Sequence, residues 1–315
     1  MDRNKSNSEI KHKSVMINQV ISGLQIKPNN NYIDCTVGEG GHTCSIIKSS
    51  HPQPNILGID LDSQAIQIAS KRLASYSQNI TLVNDNFSNI ENIIKTHKFI
   101  PISGVLFDLG ISSFQLENPN RGFSFNLDNL PDMRFDTHQE LSAHHIVNFS
   151  NEQELAMIIS IYGEQSRSKM IAKAIIQSRP INSTTQLAKI ISNALPYNKE
   201  YERIHPATKT FQAIRIAVNK ELDNLTQMLN SLLNILNKGA RIVGISYHSL
   251  EDRIVKQFFK KESTTCICPK TLPLCICEHV PRLKILTKKI IMADEIEISL
   301  NPRSRSAKLR VAEVI

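Results

Sequence analysis

Asp34-Cys35-Thr36-Val37-Gly38-Glu39-Gly40-Gly41-His42, followed at the end of the next apolar run by Asp60, is the stretch on which the fold turns. Tyr32-Ile33 ahead of it is short and β-prone, and Asn55-Ile56-Leu57-Gly58-Ile59-Asp60 has the pattern of a second buried strand. Strand, glycine turn, helix, strand and acid is the order in which a doubly wound sheet holds a nucleoside-bearing ligand. The glycines let backbone approach the ligand, and the acid takes the ribose hydroxyls. The alternation continues with helical spacing over 63–75, a third strand at Asn79-Ile80-Thr81-Leu82-Val83 and a fourth at Ser103-Gly104-Val105-Leu106-Phe107-Asp108. Such alternation implies an α/β fold: a doubly wound, Rossmann-like parallel sheet with right-handed crossovers. Ligands of these sheets gather at the carboxyl ends of the strands, so the glycine turn, Asp60, Phe87 and Asp108 should converge on one crevice.

The spacing of the glycines narrows the ligand. A dinucleotide fingerprint wants a third glycine where this chain has Thr43. Asp34 precedes the turn and Glu39 lies within it, where a pyrophosphate disfavours extra negative charge. A sulfonium cofactor carrying a free ammonium benefits from both acids. S-Adenosylmethionine is therefore expected over NAD.

From 142 to 195 the chain reads as helices only, at 152–162, 167–178 and 184–195, and one long helical pattern over 208–236 leads back to a fifth strand at Ala240-Arg241-Ile242-Val243-Gly244-Ile245. A helical block between the fourth and fifth strands is an insertion beside the crevice, where a substrate-recognition cap belongs. The expected division is 1–136 and 208–315 for the two parts of the sheet domain, with 137–207 as the inserted helical domain. Lys169, Lys173, Arg179 and Lys189 of the insert suit phosphates, or simply form a solvated face. Glu295-Ile296-Glu297-Ile298 alternates as a strand, with 307–314 as its partner.

With 315 residues, 41% hydrophobic and 21% charged, the chain is an ordinary globule with ample core. Residues 1–14 are polar and basic with no apolar signal region, and no apolar run approaches membrane-spanning length. A cytoplasmic location is expected. The net charge of +8 suits a polyanionic partner such as nucleic acid. Arg303, Arg305, Lys308 and Arg310 in the tail suit phosphate binding, or guard an edge strand. Cys266-Ile267-Cys268 and Cys275-Ile276-Cys277 put four thiols in twelve residues, with Pro269 and Pro273 between. Structural zinc and reduced loop thiols are both compatible with that pattern, whose spacing is tighter than a usual zinc knuckle. No metal is expected in the reaction itself.

Asp108-Leu109-Gly110-Ile111-Ser112-Ser113-Phe114-Gln115 follows the fourth strand, where an S-adenosylmethionine enzyme places the group to be methylated. Carboxylate, hydroxyls and amide there suit an exocyclic amine, whose lone pair is delocalised into its base and needs acceptors to localise it. His248-Ser249-Leu250-Glu251-Asp252-Arg253 sits at the same sheet edge and reads as a positioning or RNA-contact segment, or as a helix cap.

These motifs together resemble the bacterial 16S ribosomal RNA (cytosine-N4)-methyltransferase family, from about residue 12 to residue 312. The resemblance is carried by Gly38-Glu39-Gly40-Gly41-His42-Thr43, Asp108-Leu109-Gly110-Ile111-Ser112-Ser113, Arg121-Gly122-Phe123-Ser124-Phe125, Asp132-Met133-Arg134, Tyr162-Gly163-Glu164, His205-Pro206-Ala207-Thr208, Phe211-Gln212-Ala213-Ile214-Arg215-Ile216 and the segments 248–253 and 301–310. It implies S-adenosylmethionine as cofactor and N4 of a cytidine in the decoding centre of the small ribosomal subunit as target. It also implies Gly40, Gly41 and His42 around the methionine end of the cofactor, Asp60 on the ribose and Phe87 against the adenine. Asp108, the catalytic candidate, and Gln115 would close the site beside the target base. A homodimer is compatible with the sequence. Pro131, Phe135, Asn120 and Tyr247 depart from the family's usual residues, and none is expected to touch the cofactor set. Two other functions are weighed against this one. A DNA amino-methyltransferase usually carries an Asp/Asn/Ser-Pro-Pro-aromatic motif after the fourth strand, which is missing here. A non-catalytic ribosome-binding factor has no need of intact Gly40, Gly41, Asp60 and Asp108.

Overall fold

The computed structural model describes residues 14–195, 205–269, 271–272 and 274–315. The polar, basic residues 1–13 and Pro273 of the cysteine loop lie outside them. One sheet organises the chain: β1 (Asn31–Asp34), β2 (Asn55–Asp60), β3 (Ile80–Asn84), β4 (Ile102–Asp108), β5 (Arg241–Ser246), β6 (Leu283–Ile285), β7 (Ile291–Met292) and β8 (Lys308–Val314). Their order is β3-β2-β1-β4-β5-β8-β6, with β7 pairing β8. The first five run parallel, and β8 is antiparallel to β5. This is the doubly wound α/β sheet the sequence predicts, with the order reversing at β1 and β4, the switch point where such sheets bind ligands. β2, β4 and β5 are apolar along their interiors, and β1 is buried from Tyr32 to Asp34, as strands covered on both faces must be.

Helices cover both faces: α1 (Ile17–Leu24), α2 (Gly41–Lys48), α3 (Ser63–Arg72), α4 (Ile90–His97) and the one-turn α5 (Ser113–Glu117). The insert contributes α6 (Ala143–Phe149), α7 (Glu152–Gly163), α8 (Ser168–Gln177) and α9 (Thr184–Ala194). They pack around a core separate from those of the sheet, with Leu155, Ile159, Ile171, Ile175, Leu187 and Ile191 fully buried. That core also takes in Phe123 and Met133 before the insert and Phe211, Ile214 and Val218 after it. Among the described residues no helix is long and apolar enough to cross a membrane.

Two elements differ from expectation. The pattern over 208–236 is two helices, α10 (Thr208–Asn219) and α11 (Glu221–Ile235), broken at Lys220, whose φ of 50° is left-handed. Asn219 causes the break. Its amide nitrogen donates to the carbonyls of Arg215 and Met133, and its amide oxygen accepts the Phe135 N–H, so the chain is pinned there and must turn. Residues 295–298 are not a strand but part of α13 (Glu295–Leu300). Asp294 caps it, accepting the Glu297 N–H at 2.7 Å, and Glu297 accepts the Met16 N–H at 2.6 Å. The alternation there had no buried face behind it, since Ile296 is 73% exposed. β8 pairs instead with β5, β6 and β7. The remaining long helix, α12 (Ser249–Glu262), follows β5 and is capped by His248, with Glu251 completing the capping box.

Candidate active site

The glycine turn is built from beneath by Asp34. Its carboxylate is fully buried, accepting the Thr43 hydroxyl at 2.7 Å and the Thr36 N–H at 3.2 Å. Burial raises its pKa, opposed by neighbouring His42 and by Thr43. Gly38 (φ 50°) and Gly40 (φ 79°) turn the backbone through the left-handed region that glycine enters without strain. Gly41 then opens α2, and a Cβ there would collide with Ser14 Oγ. Glu39 accepts the Phe114 N–H at 3.2 Å, joining the turn to α5 across the crevice.

A cleft of about 330 Å³ opens at the carboxyl ends of β1, β2, β4 and β5. Gly41, His42, Asp60, Phe87, Asp108 and Gln115 all line it. Gly40 does not: a Cβ on it would point at Leu73 and Ala69 behind the turn, so Gly40 shapes the loop rather than facing the cleft. Asp60 ends β2, its oxygens accepting the N–H groups of Gly38 (2.8 Å) and Asp62 (2.9 Å). Burial lifts its pKa to about 6 against those two donors. Phe87 packs on the core from the loop after β3 and presents its remaining surface to the cleft.

Asp108 lies at the end of β4, one strand from His42 on α2 and from Tyr247 after β5. Its Oδ2 is 3.2 Å from His42 Nε2, its Oδ1 accepts the Tyr247 hydroxyl at 2.8 Å, and its N–H donates to Thr36 Oγ1 at 2.7 Å. The carboxylate is thus fixed on both sides yet keeps 20% of its side chain open to the cleft. Burial lowers the His42 pKa, but the hydrogen bond and charge of Asp108, with Asp34 and Glu297, raise it overall. Burial, then Asp108, holds the Tyr247 phenol well above its usual range, so it stays a donor. Phe135 and Tyr247, expected to stand clear of the cofactor set, both line the cleft, and Tyr247 is a direct partner of Asp108.

Gln115 is buried and doubly committed. Its Oε1 accepts the Ser112 N–H in a capping box, and its Nε2 donates to Asp62 Oδ2 at 2.9 Å. The same Asp62 oxygen accepts Arg121 Nη1 at 2.7 Å, and Arg121 Nη2 donates to the carbonyls of Arg134 and Phe135. Asp62 and Arg121 are almost wholly buried, and the only sequence signal for either is that Arg121 opens the Arg121-Gly122-Phe123-Ser124-Phe125 motif.

The far wall carries a second charged cluster. Arg215 donates to both oxygens of Glu221 at 2.9 Å, and His248 Nε2 lies 3.1 Å from Glu251 Oε1. Against burial, His248, Arg215 and the Tyr247 N–H hold Glu251 below the usual carboxylate range. Glu221, His248 and Glu251 lie within metal-ligand reach of one another, but the Arg215 guanidinium already takes both Glu221 oxygens. Segment 248–253 also fastens the insert, since Ser249 and Arg253 both bond Glu164 at the end of α7.

Cations expected on phosphate divide in two. Arg303 pairs with Glu117 and Ser113, Arg310 with Asp252, and Arg179 donates to the carbonyls of Val147 and Ser150. Lys169 and Lys173 on α8 and Lys189 on α9 are exposed.

The cleft suits an adenosyl sulfonium. It offers Phe87, Val37, Ala65 and Leu116 as apolar walls, carboxylates at Asp60 and Asp108, and a buried His42 Nδ1 with no partner. A model of the MraW methylase family matches residues 9–315. The chain is 48% identical to ribosomal RNA small subunit methyltransferase H of Dehalococcoides mccartyi over 98% of this chain and 87% of the relative. It is 46% identical to the protein of the same name from Clostridioides difficile, over 98% of this chain and all of the relative. The resemblance drawn from the motifs therefore holds: the chain belongs to the MraW methylase family, and its methyl donor is S-adenosylmethionine.

Proposed function

We propose that the protein methylates 16S ribosomal RNA of the small subunit, at N4 of a cytidine in the decoding centre. The observation that carries this reading is the Asp108 carboxylate, fixed between His42 and Tyr247 with one side open to the cleft. Kinship with proteins named for small-subunit rRNA methylation supports the substrate.

When bound, S-adenosylmethionine supplies an electrophilic methyl on a sulfonium whose departure as a neutral thioether needs no acid. Gly41, His42, Asp60, Phe87 and Gln115 are the residues proposed to hold it, with Asp60 on the ribose and Phe87 on the adenine. An exocyclic cytosine amine is a poor nucleophile because its lone pair is shared with the ring. The free edge of Asp108 accepts one of its hydrogens, localising that pair and aligning it for in-line attack, and it takes that proton from N4 once the N–C bond has formed. Tyr247 and His42 keep the carboxylate from rotating away, so it is already in place when the base arrives. The target must be splayed from its stack to reach this depth, and the insert 137–207 is the proposed cap that receives the surrounding RNA. Both walls of the cleft come from one chain, so the reading requires no second copy.

The test is to incubate the protein and labelled cofactor separately with small subunits, naked 16S RNA and duplex DNA. Label is expected on subunits or 16S RNA, recovered as N4-methylcytidine. Label on DNA alone, or on none of the three, overturns the proposal. Asp108→Ala is expected to abolish transfer with the circular dichroism spectrum unchanged, and near-normal turnover refutes its role.

A further inference from the structure

The loop between α12 and β6 gathers Cys266, Cys268, Cys275 and Cys277, all free thiols, with every Sγ within 4.8 Å of the other three. Cys275 Sγ lies 3.6 Å from Cys277 Sγ, which lies 3.9 Å from Cys266 Sγ. A tetrahedral zinc with Zn–S bonds of about 2.3 Å has S···S edges of about 3.8 Å. The two arms are also related to each other. The Ile267 N–H donates to Cys277 Sγ and the Ile276 N–H to Cys268 Sγ, both at 3.4 Å, so each Cys-Ile-Cys arm sends its central amide to the last sulfur of the other. Amides aimed at sulfur stabilise thiolates, the form that binds metal.

Among its described residues nothing apolar holds the loop together. Ile267, Leu272, Leu274, Ile276 and Val280 are all exposed, Leu274 at 77% and Ile276 at 74%. Its base is well made: Arg282 donates its N–H to the Glu262 carbonyl at 2.8 Å and its Nε to the buried Glu262 carboxylate at 2.9 Å. A loop closed at its base, without a core, and converging on four sulfurs needs a ligand at its tip.

We infer that Cys266, Cys268, Cys275 and Cys277 bind one Zn²⁺ as thiolates, in a closed four-sulfur structural site. Binding releases the thiol protons and leaves no coordination position for substrate. The site is structural on distance as well. α12 starts at Ser249, just after Tyr247 of the cleft, and runs fourteen residues to Glu262, about 21 Å at 1.5 Å per residue, and the four cysteines follow its far end. Its work is to hold the loop between α12 and β6 in one shape.

The test uses the full chain, purified under reducing conditions without added zinc and assayed by elemental analysis. About one zinc per chain is expected. Loading metal-stripped, reduced protein with Co²⁺ should give the intense charge-transfer and d–d bands of tetrahedral cobalt thiolate. Native thiol titration should find four fewer reactive cysteines until a strong chelator is added. Cys275→Ser/Cys277→Ser should lose the metal and the cobalt spectrum, and expose the loop to protease. If that variant misfolds, the wild-type measurements decide alone. Protein that neither carries nor takes up metal, with all four thiols reacting at once, overturns the inference. So does stoichiometric iron with cluster absorption, or pairing of the four cysteines as disulfides.

Discussion

Asp60 and Asp108 end β2 and β4, the strands on either side of β1, yet their surroundings prepare them for different work. Asp108 is bracketed by two side chains, whereas Asp60 is satisfied by two backbone amides and stands half-buried in the cleft wall. Burial lifts Asp60 to about 6, and this has two consequences of opposite sign. Its contribution to folding stability is complete below about pH 4 and is lost as the pH rises through about 6. Cofactor binding runs the other way, because the ionised carboxylate is the better acceptor for ribose hydroxyls. The cofactor Kd measured by calorimetry should rise about tenfold from pH 7 to pH 5, and Asp60→Asn should flatten that dependence while weakening binding throughout. A Kd independent of pH in the native protein refutes the assignment. Chemistry at the strand ends is legible in the sequence, since His42, Asp60, Phe87 and Asp108 all reach one cleft. The roles of Tyr247, Asp62 and Arg121 are not. Their partners lie 139 and 59 residues away, and one-dimensional spacing carries no record of such contacts.

Among the elements, the segment 109–135 is held to the sheet by charge rather than by strand pairing. Arg121 joins Asp62 at the head of α3 to the carbonyls of Arg134 and Phe135, with Gln115 sharing the same carboxylate. Arg121→Ala strands a buried carboxylate and two carbonyls, so urea unfolding should show a loss of about 3–5 kcal/mol. A loss below about 1 kcal/mol means that water replaces the guanidinium and the clamp is not needed. The elements most legible in the sequence were those with a buried face at regular spacing, such as β2, β4, α7 and α8. The strand expected at 295–298 failed because alternating Glu and Ile needs a covered face to make a strand, whereas Asp294 offers a ready helix cap. The continuous helix expected over 208–236 failed because the amide of Asn219 is drawn to Met133 and Phe135, a tertiary demand that helical periodicity cannot show.

For the whole molecule, the net charge of +8 is spent unevenly. Arg121, Arg215, Arg303 and Arg310 are paired within the fold, and exposed Lys169, Lys173 and Lys189 lie on the insert. Affinity for 16S RNA should therefore fall roughly tenfold or more between 50 and 200 mM salt, by filter binding, while cofactor affinity changes little. Charge-neutral substitution of those three lysines should flatten the salt slope, and an unchanged slope places the RNA on another surface. The sheet order has a temporal consequence as well. β8 lies between β5 and β6, and Lys308 follows its β5 partner Ser246 by 62 residues. At about 5–20 residues per second, a ribosome making this chain leaves the outer edge of β5 bare for about 3–12 s. In that interval the nascent chain carries an unpaired apolar edge able to recruit a neighbour, and only the last strand to emerge closes it.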